Sequence, residues 1–129
     1  MSPGGQSSRA RRLLMLDTGG AALTAAITLG LLASGVIASG VPLVVWWGLG
    51  SLAAGIGLQG LVALWRSWPL RLELRRVAVA NVVYAFASTI VVVVFRGTVT
   101  GIVVAYVVIE AVVLVALAVA EWHESRRIR

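Results

Sequence analysis

Four apolar stretches, at about 13–38, 41–65, 77–95 and 98–120, are each long enough for a helix to cross a hydrocarbon core of about 30 Å. Few folds accommodate that pattern. Of 129 residues, 60% are hydrophobic and only 12% charged, too little polar surface for a soluble domain of this size. The expected fold class is therefore all-α and integral to a membrane. The connections "SGVP" and "RGT" are short, so each joins antiparallel neighbours, and the simplest architecture is an up-down four-helix bundle.

The arginines orient that bundle. The chain has eleven and no lysine. Arg9, Arg11 and Arg12 precede the first span. Arg66, Arg71, Arg75 and Arg76 lie between the second and third, and Arg126, Arg127 and Arg129 follow the fourth. Only Arg96 falls on the other side. Positive charge is retained on the cytoplasmic face, so both termini are expected there, in a multi-pass protein of a bacterial inner membrane. Trp65, Trp68 and Trp122 fall at the inner interface, with Trp46 and Trp47 near the outer one. The net charge of +6 thus reads as orientation and contact with membrane lipids, with no nucleic-acid partner.

Three segments follow from these boundaries. Residues 1–12, polar and Gly/Ser-rich, are expected to be a disordered basic cytoplasmic start. Residues 13–121 form the transmembrane domain, and 122–129 a basic cytoplasmic tail. The middle connection, "RSWPLRLELRR", reads as a solvated connector, with an inward extension of the third helix or an interfacial piece as alternatives.

A polar side chain in lipid needs a partner, so each one inside a span marks an inward face. Asp17, Gly20, Thr24, Thr28 and Gly35 share roughly one side of the first span at helical spacing, with the threonines expected to satisfy their own helix's carbonyls. Gly48, Ser51, Gly55 and Gln59 mark the second span, and Asn81, Tyr84 and Ser88 the third. In the fourth, Tyr106 and Glu110 are one turn apart, and Glu121 lies on the same side three turns later. Small residues spaced by four, Ser51 to Gly55 and Ala53 to Gly57, suit close helix packing.

Depth separates these groups. Asp17 is five residues beyond Arg12 and Asn81 five beyond Arg76, each about 8 Å in. Glu110 is eleven residues from Glu121, about 16 Å in and close to the midplane. The expectation is one pocket in the cytoplasmic half, lined by Asp17, Gln59, Asn81 and Tyr84 and floored by Glu110. An unpartnered carboxylate is costly there, so Glu110 is expected to carry its proton, as a hydrogen-bond donor and general acid.

Several chemistries are excluded or unsupported. Without cysteine there are no disulfides and no thiolate nucleophiles or metal ligands. No phosphate-binding loop, zinc-protease helix or nucleophile elbow occurs, and neither cofactor nor metal is expected. Three functional readings remain. The first is a protein that binds a lipophilic small molecule and, if an enzyme, performs metal-independent acid–base cyclisation or isomerisation. Glu110 and Asp17 would be catalytic, the latter as base or orienter, and Asn81, Tyr84, Gln59 and Tyr106 would hold the substrate. The second is a proton-coupled transporter working as a homo-oligomer. The third is a non-catalytic membrane-complex subunit or assembly factor, in which Glu110 clamps helix three to helix four through Asn81 or Tyr84.

Overall fold

A computed structural model of the chain describes residues 3–128. Among these the fold is all helical, with α1 at Pro3–Ile27, α2 at Leu43–Trp65, α3 at Leu70–Val94 and α4 at Gly101–Arg127. Each helix has a segment long and apolar enough to cross a membrane. The helices form two hairpins, α1 with α2 and α3 with α4, and most interhelical contact lies within each hairpin. The hairpins meet more thinly, through α1 against α3 and α4 and through α2 against α3.

The breaks between helices have local causes. Pro42 and Pro69 cap α2 and α3 in extended conformations, where a missing N–H costs nothing. Ser67 adopts a left-handed φ of 51° in the tight turn before α3. Past Ile27, α1 continues as a π-helical turn, Thr28–Leu32, closed by the Ala33 amide on the Thr28 carbonyl at 2.7 Å. The first and third connections then touch. The Thr100 amide donates to the Ser39 carbonyl at 2.9 Å, and the Trp46 indole donates to the Ser39 hydroxyl at 2.8 Å. Gly40, at φ 73°, fits here because a Cβ would collide with the Thr98 carbonyl. Trp46 is accordingly buried in the core and not at an outer interface, whereas Trp47 is exposed.

Three expectations are corrected at the arginine-rich end and along α2. The start is helical from Pro3 onward, so the described part of 1–12 is not a disordered arm; residues 1, 2 and 129 lie outside the described range. Ala10 and Leu14, one turn apart, are fully buried, and Leu14 packs in a cluster with Ala63, Val77, Leu64, Trp68 and Leu70. That apolar patch holds the segment against the end of α2 and the start of α3. The "LRLELRR" segment is the first two turns of α3, with Glu73 and Leu74 buried, and not a solvated connector. On α2 the inward face is Ala53, Gly57, Gly60 and Ala63, whereas Gly48, Ser51, Gly55 and Gln59 face outward. At Gly60 a Cβ would meet the Thr18 side chain of α1, so the close approach of the two backbones requires glycine.

Candidate functional site

The polar residues of the interior form two clusters where one pocket was expected. The first joins three helices. Asn81 of α3 donates through Nδ2 to Asp17 Oδ1 of α1 at 2.5 Å and to Glu121 Oε2 of α4 at 3.2 Å. All three side chains are at most 3% exposed. One amide group thus bridges two carboxyls from different helices. Glu121 Oε1 is buried without a hydrogen-bond partner.

The second cluster joins α1 to α4. The Tyr106 hydroxyl donates to Glu110 Oε2 at 2.6 Å, and the Thr24 hydroxyl donates to the same oxygen at 3.3 Å. Tyr106 and Glu110 meet because side chains one turn apart lie on one helix face. Thr24 therefore bonds across helices and not to its own backbone. Oε1 of Glu110 has no protein partner among the described residues, and its side chain is only part-buried.

Between α1 and α4 a cleft of about 190 Å³ opens to the side of the bundle. Its polar lining is Asp17, Thr24, Tyr106 and Glu110, and its walls include Ile27, Ile109, Val113 and Leu117. Gly20 leaves its middle open, with nothing within 4 Å of where a Cβ would stand. The opening exists because α1 and α4 touch at few points.

Of the expected site residues, Asp17, Tyr106 and Glu110 thus line one cleft. Asn81 is adjacent through Asp17 but faces only a core void of about 10 Å³, which it shares with Tyr84 and Thr24. Tyr84 is buried near Glu110 without bonding to it. Gln59 is exposed on the far side of α2 and belongs to neither cluster, because Gly57 and Gly60 turn the opposite face inward. Glu110 clamps α4 to α1 through Thr24, not to α3.

Glu121 and Thr24 are the site residues that spacing alone missed. For Glu121 the signal was present: it stands five residues before Arg126, as Asp17 and Asn81 stand five beyond Arg12 and Arg76. Equal offsets from the charged boundary put the three groups at one depth. No group of His, Asp and Glu side chains among the described residues has the geometry of a metal site. Comparison with known protein families, with curated proteins and with solved structures gives no match to the chain.

Proposed function

We propose that the chain is a small multi-pass membrane protein that admits a lipophilic molecule sideways into the α1–α4 cleft, where Glu110 offers it a proton. The observation that carries this reading is the half-open Glu110 carboxyl. Its Oε2 is held by two donors, while Oε1 has no protein partner among the described residues, in a mostly apolar cleft that Asp17, Thr24 and Tyr106 also line. A substrate entering from the bilayer would meet that oxygen as its main polar contact.

The insertion itself is supported by four apolar helices and by outward-facing residues such as Leu23, Leu58, Phe86, Val94, Ile102 and Val119. Large apolar side chains at this density on a surface suit lipid as solvent. The arginine distribution supports cytoplasmic termini and an inner-membrane location.

The chemistry follows from the two oxygens of Glu110. In the neutral acid, the Oε1 hydroxyl donates to a double bond or ring oxygen of the substrate. As the proton moves, charge develops on the carboxylate, and the Tyr106 and Thr24 hydroxyls already point at Oε2 to stabilise it. Loss of a proton from a neighbouring substrate carbon back to Glu110 completes an isomerisation or a cyclisation with no external reagent. Asp17, tied to Asn81 and Glu121, is left the orienter's role and not that of base.

A second reading, proton-coupled transport, is favoured by one observation: Asp17 and Glu110 line the same seam, so two protonatable groups stand in series along α1 and α4. The two readings differ in what the purified protein does. Lipid extracts of the parent protein should contain a bound lipophilic compound detectable by mass spectrometry. Gly20→Leu, which fills open space in the cleft, should remove it without lowering thermal stability. Conversion of that compound by the parent and not by Glu110→Gln supports catalysis, whereas uptake into vesicles driven by a proton gradient supports transport. Equal occupancy in the Gly20→Leu variant would sink the cleft as the binding site.

A further inference from the structure

On the opposite side of α4 from the cleft lies a larger groove, about 480 Å³, formed with α3. Its length is walled by Val79, Val82, Val83, Val115 and Val119 and floored by Ala118. Its end is polar, made by Trp122, His123 and Arg126. From Val115 to Arg126 is eleven residues, about 16 Å along a helix, which is half the thickness of a hydrocarbon core. The groove has the dimensions of one leaflet, and its polar end is the arginine-rich end of the bundle.

Charge at that end is unbalanced. The Arg75 guanidinium stands 5.5 Å from the centroid of the Trp122 ring and that of Arg126 stands 5.9 Å from it. Both are within cation–π range, which holds a guanidinium while leaving its N–H edge free. Neither has a carboxylate partner: the one ion pair among the described residues joins Arg76 to Glu73 at 2.9 Å. Arg75 Nε is also buried without a hydrogen-bond partner. Two guanidiniums converge on one indole at the mouth of an apolar channel, with donors to spare.

We infer that the α3–α4 groove binds a phospholipid with an anionic headgroup, an acyl chain along the valines and the phosphate between Arg75 and Arg126. Guanidinium N–H groups pair with phosphate oxygens in a forked geometry that suits this end. A zwitterionic lipid also carries a phosphate, but its choline cation would stand against the two guanidiniums, whereas an anionic headgroup brings no opposing charge. A second copy of the chain on a two-fold axis would set Arg75 and Arg126 against themselves, so like charges oppose that occupant. The site shares the membrane setting of the α1–α4 cleft but none of its residues.

The test is native mass spectrometry of the full chain, released from mixed micelles containing equal phosphatidylglycerol and phosphatidylcholine. The parent should retain phosphatidylglycerol in preference. Joint Arg75→Gln and Arg126→Gln should lower that preference about tenfold, the loss expected when charge-assisted contacts worth ~1.4 kcal/mol are removed. Val82→Trp places bulk in the groove from a half-exposed position and should cut retention of both lipids. Arg96→Gln, at the other end, and Gly20→Leu, in the other cleft, should leave retention unchanged. Equal retention of the two lipids by the parent would overturn the inference. So would an Arg96→Gln loss as large as that of the double variant, since basic surface anywhere would then suffice.

Discussion

The two carboxyl clusters are built from the same kinds of residue and differ in what surrounds them. Asp17, Asn81 and Glu121 draw on three helices, and a single amide serves both acids. Glu110, Tyr106 and Thr24 draw on two, and both hydroxyls go to one oxygen while the other keeps no protein partner. The first cluster is at most 3% exposed and reaches the cleft only at the edge of Asp17; the second is part-buried in the cleft wall. Buried polar networks fix how helices pack, and burial is what separates the two clusters: Glu121 Oε1 also lacks a partner but is shut inside the core, whereas Glu110 lines the cleft. A network left open on one side has a free valence for something else. On the proposed reading, the same chemistry acts as a clamp at one end of the α1–α4 seam and as a site further along it.

The largest expected effect separates the two at once. Asn81→Leu removes the donor from two buried carboxyls together, at about 1–3 kcal/mol for each group left unpaired. Its melting temperature in detergent should fall further than that of any single change at the other cluster. An Asn81→Leu protein that melts with the parent would break the comparison, because the sealed cluster would then hold nothing together.

Glu110→Ala should come next, losing about 1–2 kcal/mol for the interhelical bond to Thr24, while Glu110→Gln should melt close to the parent. Activity or ligand conversion should be lost in both. A fully active Glu110→Gln would leave Glu110 as a second clamp and erase the difference between the clusters. Smaller again is Tyr106→Phe, which removes one hydroxyl from Oε2 and should cost about 0.5–1.5 kcal/mol by thermal denaturation. Its effect on turnover should exceed its effect on stability if the hydroxyl stabilises developing charge. Gln59→Leu should change neither, staying within about 0.5 kcal/mol of the parent, since the side chain faces outward.

Much of the fold was legible because it follows from lengths and boundaries. Apolar runs gave four helices but not all their ends, since α1 begins at Pro3 and α3 at Leu70, well before the apolar runs at 13 and 77, and Tyr106 with Glu110 needed only helical spacing. What the sequence could not supply was rotation of each helix about its axis. On α2 two stripes of small residues compete, Gly48–Ser51–Gly55 and Ala53–Gly57–Gly60, and the polar Gln59 argued for the first. The second faces inward because only it lets α1 approach at Thr18. Asn81 was placed at the right depth but with the wrong partner for the same reason, since pairing with Glu121 depends on how α3 and α4 are turned. The helical start was missed through its glycines and serines, which outweighed Ala10 and Leu14 in a reading by composition.

The most direct test of the open and closed clusters uses a lipophilic carbodiimide, which enters bilayers and modifies protonated carboxyl groups that it can reach. The protein is reconstituted in vesicles, treated, digested and mapped by tandem mass spectrometry. Glu110 should carry the adduct, Asp17 and Glu121 should not, and Glu110→Gln should abolish labelling within the helices. Labelling at Asp17 or Glu121 with Glu110 unmodified would contradict the account, since the cluster described as sealed would be the one open to the membrane.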